Sequence, residues 1–194
     1  RTLGDGDAGN ITINVDRLDL LSGGQIFNGI GNAQRDGSVL GNADGKGRGG
    51  TLQVTARESI LIDGSSPDGF SGLFSSAQIG SGDAGDILVS APKIEMRAGG
   101  RIETSSVRQS QGRAGTLILD DVDRLMLTES AQIAALSEGN GQGGDIVISG
   151  NVIQLSNGAQ ITSESLGDGD AGNIRIAARE IILPGNGAIA TSVQ

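Results

Sequence analysis

The sequence predicts an all-β protein, a right-handed parallel β-helix of about six three-sided coils. Three observations predict this fold. A glycine-led unit recurs six times, short alternating aliphatic stretches follow each copy, and glycine makes up 34 of 194 residues, far above the ordinary level of roughly 7%. Chains built from a recurring unit of this kind fold as solenoids, because each unit buries its apolar face only against the next unit.

The recurring unit is a glycine followed by a polar residue and an aliphatic residue. Successive copies are 41 residues apart at the start of the chain and 28 apart at its end, so the base unit is close to 28 residues. The six copies are Gly9-Asn10-Ile11, Gly50-Thr51-Leu52, Gly85-Asp86-Ile87, Gly115-Thr116-Leu117, Gly144-Asp145-Ile146 and Gly172-Asn173-Ile174.

Each unit contains three short stretches that are expected to be strands. In the fifth unit they are Ile146–Ile148, Ile153–Leu155 and a third stretch centred on Ile161. Alternation places one set of side chains on one face, and stacked strands lie about 4.8 Å apart. Parallel strands are joined by right-handed crossovers, which sets the predicted handedness. The centres of the third stretch are Ile26, Leu73, Ile102, Ile133, Ile161 and Ile189.

The polar residue after each repeat glycine is expected to stack on its counterpart in the next coil. The two aspartates of this column, Asp86 and Asp145, are separated by Thr116. No carboxylate would then lie directly on another, an arrangement that like charges make unfavourable.

Residues 1–194 are expected to form a single β-helix segment with long insertions at 28–49 and 65–72. The stretch Leu3–Ile11 recurs without change at Leu166–Ile174, and neither end of the chain shows a cap. Open strand edges invite pairing. The sequence therefore predicts either further repeats in a longer parent protein, which we favour, or identical copies stacked end to end.

Charge and composition exclude several classes of partner. The net charge is −9 and there is no cysteine; nucleic acid and anionic membranes both require basic patches. No apolar run is long enough to span a membrane as a helix. The insertions are candidate binding surfaces for a cell surface or a polysaccharide, with Phe70 and Phe74 in or beside the second. The alternative is that Phe27 and Phe74 simply pack locally.

The sequence predicts no catalytic, cofactor-binding or metal-binding residue. The densest acidic cluster is Asp120–Asp123, followed by Arg124, but the stretches at the same corner of the neighbouring units are not acidic. The chain has no histidine for acid–base work. Calcium at the acidic corners Asp5–Asp7, Asp83 and Asp168–Asp170 is kept as an alternative, because Ca²⁺ uses carboxylates spaced in this way; such residues also suit turns.

The cadence Gly-Asn-Ile-x-Ile, then Leu-x-Leu, then Gly-Ala-Gln-Ile-Thr-Ser is clearest at Gly172–Leu183 and Gly158–Ser163. It resembles the repeat region of filamentous-haemagglutinin-type exoproteins, and most closely that of large cyanobacterial surface proteins. This resemblance implies two-partner secretion, extracellular display at the cell surface, and roles in adhesion, biofilm or sheath formation. The family's secretion domain carries Asn-Pro motifs, which are absent here, so the chain would belong to the repeat rod.

We therefore expect a non-enzymatic rod segment of an exported surface adhesin or filament. Its partners would be adjoining repeats, or identical copies, and a host or neighbouring cell surface or polysaccharide. Two alternatives remain: a subunit that stacks end to end into an extracellular fibre or sheath, and a carbohydrate-active β-helix enzyme.

Overall fold

A computed structural model describes residues 6–30, 32–33, 39–40, 46–64, 66, 69–77, 81–107 and 111–194. Within these residues the protein is all-β without any helix, and its parallel strands stack as a solenoid. The predicted fold class is confirmed in these respects. The right-handed sense and the number of coils stay predictions.

The described residues contain fifteen strands. They are β1 (Ile11–Leu20), β2 (Gln25–Ile30), β3 (Asn32–Ala33), β4 (Val39–Leu40), β5 (Leu52–Asp63), β6 (Gly72–Ala77), β7 (Ile87–Ser90), β8 (Lys93–Arg97), β9 (Arg101–Ser106), β10 (Leu117–Leu127), β11 (Gln132–Ser137), β12 (Ile146–Leu155), β13 (Gln160–Ser165), β14 (Ile174–Ile182) and β15 (Ala188–Val193).

Two parallel sheets run along the solenoid. The first has the order β1-β5-β7-β10-β12-β14, with β8 paired to both β5 and β10, and the second has the order β2-β6-β9-β11-β13-β15. The strands β3 and β4 form a separate antiparallel pair inside the insertion at 28–49. Each strand of a main sheet therefore pairs with its counterpart in the neighbouring repeats.

The first two predicted stretches of a repeat usually belong to one long strand. In β1 and β10 this strand carries a register shift, between Val15 and Arg17 and between Leu119 and Val122. The strand is divided into β7 and β8 only in the third repeat, where Pro92 lies between them. Proline lacks the backbone N–H that a ladder requires, which accounts for the division.

The third side of each coil is the glycine-rich connection that leads into the first sheet. Its backbone is also hydrogen-bonded from coil to coil, for example from Ala84 N to Arg113 O at 2.9 Å and from Ala114 N to Gln142 O at 3.0 Å. A coil therefore consists of a long bent strand, a shorter strand and a bonded connection.

The predicted register of the aliphatic residues is confirmed in all three stretches. In the second sheet Ile26 pairs with Leu73, Leu73 with Ile102, and each later centre with the next, as far as Ile189. The equivalent columns in the first sheet start at Ile11 and Leu18. They continue through Leu52, Ile87, Leu117, Ile146 and Ile174, and through Ile60, Ile94, Leu125, Ile153 and Ile181.

These columns form the core. Their members in the middle coils are fully buried. Those in the first coil, and Ile174 and Ile189 in the last, are only partly buried and pack against the core, whereas Ile181 is 45% exposed. Burying one such side chain stabilises the fold by roughly 1.5–3 kcal/mol. The core is aliphatic, since the side chains of all three phenylalanines of the chain lie outside it.

Candidate functional site

A groove of about 430 Å³ runs along the glycine-rich side of the solenoid. We call it the glycine-side groove. Its floor is formed by small residues and its walls by charged residues and threonines. It is lined by Arg48, Gly49, Thr51, Asp83, Ala84, Gly85, Asp86, Arg113, Ala114, Gly115, Thr116, Gly144 and Asp145.

The floor is built from glycines because the coils approach one another closely there. A Cβ atom added at Gly85 would lie 1.9 Å from Gly50 O, and one at Gly115 would lie 2.1 Å from Gly85 O. No side chain fits at those distances. The glycine of the recurring unit is therefore required by coil stacking, independent of any ligand.

One wall is the column of polar residues that follow the repeat glycines. Thr116 N donates to Asp86 Oδ1 at 2.7 Å, as Thr51 N does to Asn10 Oδ1 at 2.9 Å. Asn173 N and Nδ2 donate to Asp145 Oδ1 at 2.7 and 3.0 Å. The predicted stacking is confirmed, with the acceptor side chain on one coil and the donating backbone on the next.

The pKa of Asp145 is lowered, chiefly because its carboxylate accepts the backbone N–H of Asn173. The side-chain amide of Asn173 and the Arg175 guanidinium, 3.5 Å away, act in the same direction, whereas partial burial opposes them. Hydrogen bonds to the charged form favour ionisation. Asp145 is thus held as a carboxylate at the edge of the groove.

The opposite wall is a second column, two residues before each repeat glycine, which the sequence analysis missed. It alternates in charge through Asp7, Arg48, Asp83 and Arg113. Arg48 N donates to Asp7 Oδ1 at 2.7 Å, and Arg113 N donates to Asp83 Oδ1 at 2.8 Å. The fixed offset from the glycine was the signal that could have found this column.

Each groove aspartate uses one oxygen in these backbone bonds. Within the part of the chain that the structure describes, the second oxygens of Asp83 and Asp86 accept no hydrogen bond. The guanidinium groups of Arg48 and Arg113 likewise form no hydrogen bond or ion pair with any described residue. Among the described residues, the groove therefore presents fixed acceptors and unengaged guanidinium donors side by side.

The acidic cluster at Asp120–Asp123 lies in a second cavity, of about 410 Å³, where β10 bends. Its carboxylates are bonded to polar residues of the next coil: Ser149 Oγ donates to Asp120, and Asn151 Nδ2 donates to Asp123 Oδ1 at 2.8 Å. The bond from Ser149 and the backbone N–H of Asp121 lower the pKa of Asp120. A general acid requires the opposite shift.

The acidic corners are the candidate calcium sites. In the ranges that the structure covers, no three His, Cys, Asp or Glu side chains lie close enough together to hold an ion. Asp7 and Asp83 accept arginine backbone N–H groups instead, and Asp5 lies outside the described residues. The calcium alternative stays a prediction.

The phenylalanines gather on the outer side of the early coils. Phe27 and Phe74 are register partners in β2 and β6, the local pairing that the sequence offered as one interpretation. Phe70, in the insertion at 65–72, is 46% exposed, and the Arg101 guanidinium lies 3.9 Å from its ring centroid. Gln25 Nε2 donates to Phe70 O at 2.8 Å. The described part of this insertion thus packs against the solenoid.

Glu103 lies beside this cluster, next to Phe74 in the register. Burial raises the pKa of Glu103, although the Arg101 guanidinium, 3.3 Å away, opposes the shift. Residues 31, 34–38 and 41–45, which make up half of the insertion at 28–49, lie outside the described residues. The surface next to Phe27 is therefore described only in part.

Among the described residues there is no helix of the length and apolar character needed to cross a membrane. No protein-family model matches the chain, and comparisons with curated proteins and with solved structures return no significant match.

Proposed function

We propose that the chain is a non-catalytic structural rod segment of an exported bacterial surface adhesin or filament. The observation that carries this proposal is the continuous stacking of one repeat on the next. Three aliphatic columns run from β1 and β2 to β14 and β15, and each member of a column pairs with its counterpart in the next coil. A molecule built in this way is elongated along one axis and stiff, as a rod must be.

Polar columns on the outside reinforce the same axis. Backbone N–H groups of one coil are bonded to carboxylates of the previous coil at 2.7–2.8 Å, as in Arg113–Asp83 and Thr116–Asp86. Bonds to a charged partner contribute about 1.5–3 kcal/mol each, less where water screens them. These bonds therefore join neighbouring coils along the axis of the rod.

Surface location is tested on intact cells of the source organism with an antibody raised against this chain. We expect immunogold electron microscopy to label thin extracellular rods, and brief protease treatment of the cells to remove the label. An antibody to a cytosolic protein is the control for lysis. Label confined to the interior of unbroken cells would refute the proposal.

End-to-end assembly into a fibre or sheath is the second candidate. The coils already pair strand on strand, as β13 does with β15, and the same pairing between two copies would extend the solenoid. Electron microscopy of the purified chain tests this assembly. Long fibres that Ile181→Lys abolishes would establish it, and single short particles at high concentration would exclude it.

A further inference from the structure

The glycine-side groove has the shape of a site for a chain molecule. Its lining extends from Arg48 and Thr51 in the second coil to Asp145 in the fifth, three coil spacings or about 14 Å. No large apolar side chain contributes to the lining. A ligand that fills it must be extended, polar and able to repeat its contacts from coil to coil.

The two walls repeat with the coils, at about 4.8 Å per step. In one wall, Arg48, Asp83 and Arg113 lie on successive coils. In the other wall, Asp86 and Thr116 lie on successive coils. An extended β-1,4-linked glycan advances by nearly the same distance per sugar. One sugar unit can therefore lie against each coil, where it meets side chains whose charge alternates from step to step.

The available groups match sugar hydroxyls. The second oxygens of Asp83 and Asp86 accept hydrogen bonds, the guanidiniums of Arg48 and Arg113 donate them, and Thr116 can do either. Backbone N–H groups already hold Asp83 and Asp86 in place, at 2.8 and 2.7 Å. Acceptors that are fixed before binding lose little conformational entropy when a ligand arrives.

Charge selects a neutral chain. Two arginines and the three aspartates Asp83, Asp86 and Asp145 line the groove, so the sites for an anionic polymer are interrupted by carboxylates. The net charge of −9 also repels polyanions at longer range. The hydroxyl groups of a neutral glycan can donate hydrogen bonds to the carboxylates and accept them from the guanidiniums, and no like charges are brought together.

We propose that the glycine-side groove binds an extended neutral β-1,4-linked polysaccharide, with successive sugars lying along successive coils. This binding goes beyond the rod function and does not depend on it, since an isolated chain can be tested. It would give the rod a lateral attachment to a cell wall, sheath or extracellular glycan.

Cellohexaose, xylohexaose and mannohexaose are the probes, each titrated into isotope-labelled protein and followed by NMR, with calorimetry for affinity. We expect saturable binding of at least one of them, with shifts at the backbone N–H groups of Gly85, Ala114 and Gly115. The double variant D86N/R113Q should bind that probe at least about tenfold more weakly, because it loses two charged hydrogen-bonding groups.

The repeats themselves supply both substitutions. Asn10 already accepts the N–H of Thr51 at 2.9 Å, so Asp86→Asn can keep the bond to Thr116. Gln142 occupies the position equivalent to Arg113 in the next coil, so Arg113→Gln fits the same corner. D86N/R113Q should still melt cooperatively, at a temperature lowered only modestly because the bond to Thr116 becomes a neutral one.

The matched control is Asp120→Asn, which removes a carboxylate in the other cavity and should leave glycan affinity unchanged. Three results would each overturn the groove assignment: no saturable binding of any probe, equal affinity in D86N/R113Q, or loss of affinity in Asp120→Asn. Tighter binding of hexagalacturonate than of the neutral probes would overturn the neutral class. None of these results bears on surface display, which the cell experiment tests separately.

Discussion

At the scale of the residue, glycine allows neighbouring coils to approach more closely than any residue with a side chain would. The glycines of the recurring unit lie one above another, so that the Cα hydrogen of each faces the carbonyl of the previous coil. The distances leave no space for a methyl group at Gly85 or Gly115. The abundance of glycine is thus a consequence of coil stacking, and only some of it reflects turns.

Gly115→Ala tests this explanation. The new Cβ would lie 2.1 Å from Gly85 O, so adjacent coils must separate, and we expect a loss of about 1–3 kcal/mol in unfolding free energy, as for overpacking. Denaturant unfolding measures it. The control is Gly9→Ala in the same column, where nothing lies within 4 Å of the added Cβ. Equal losses in the two variants would contradict the stacking explanation.

Asp145 makes the stability of the solenoid depend on pH. Because the pKa of Asp145 is lowered in the folded state, its contribution is complete above the unfolded value of about 3.9 and is lost as the pH falls through the folded value. Asp145→Asn keeps an acceptor for the Asn173 N–H but does not titrate.

We therefore expect the unmodified chain to melt at a higher temperature than Asp145→Asn at pH 6–7, and the difference to shrink steadily below about pH 4. Calorimetric melting across this range is the measurement. A difference that stays constant with pH would mean that the Asp145 carboxylate contributes no proton-linked stability.

At the scale of the element, the long strands of the first sheet bend without breaking. In β10 the register shifts between Leu119 and Val122, and Asp121 there has φ of 56°. This left-handed conformation is tolerated by Asp and Asn but is unfavourable for a β-branched residue. The bend thus depends on the type of residue at position 121.

Asp121→Val should cost about 1–2 kcal/mol of unfolding free energy, since valine resists the left-handed region. Asp121→Asn removes the same charge, keeps the tolerated conformation and should change stability by less than about 0.5 kcal/mol. Urea denaturation of both variants measures the difference. If the two are equally stable, backbone conformation at Asp121 is not what limits the bend.

The strand partners could be predicted because inward aliphatic residues must stack to be buried. The pairing of Leu117 with Ile146, or of Ile133 with Ile161, follows from that requirement alone. The joining of the first two stretches into one strand could not be predicted in this way. The polar residues between them, such as Asn14–Arg17, resemble a corner in sequence, whereas the ladder of backbone bonds continues through them with a register shift.

The groove was harder to predict than the core. Side chains on its walls, such as Arg48 and Asp83, face solvent, so no hydrophobic period marks them. The only sequence signal for this column is its constant offset from the repeat glycine. That signal is weak because the column contains both aspartates and arginines. The insertions do not follow the repeat at all. The packing of Phe70 against Arg101 is a single local contact, and no recurring sequence pattern predicts it.

At the scale of the whole molecule, each coil is stabilised mainly by its neighbours. Contacts between distant parts of the chain are almost all contacts between adjacent repeats, as the strand pairing shows. Stability in such a protein is close to a sum over coils and their interfaces. A destabilising substitution in the core of a central coil should therefore also destabilise the coils on both sides, whereas a surface substitution should not.

Ile148→Asp places a charge in the central stack, at a position that is 1% exposed. An unpaired buried charge costs several kcal/mol, so we expect cooperative unfolding centred on the fifth coil, seen by circular dichroism and hydrogen exchange. Val147→Asp, one residue earlier on the partly exposed outer face, should have a much smaller effect. Unchanged melting of Ile148→Asp would show that the inward face has been assigned wrongly.

The central claim is that each repeat forms one coil, stacked in a single register, and disulfide cross-linking tests it most directly because the chain has no cysteine of its own. Ala134 and Thr162 are partners on adjacent coils, at the separation of about 4.8 Å that suits a disulfide. We expect A134C/T162C to cross-link fully on mild oxidation with melting preserved, and A134C/E164C, displaced by two residues, to stay reduced. Efficient cross-linking of the displaced pair alone would contradict the register, and with it the stacked-coil architecture.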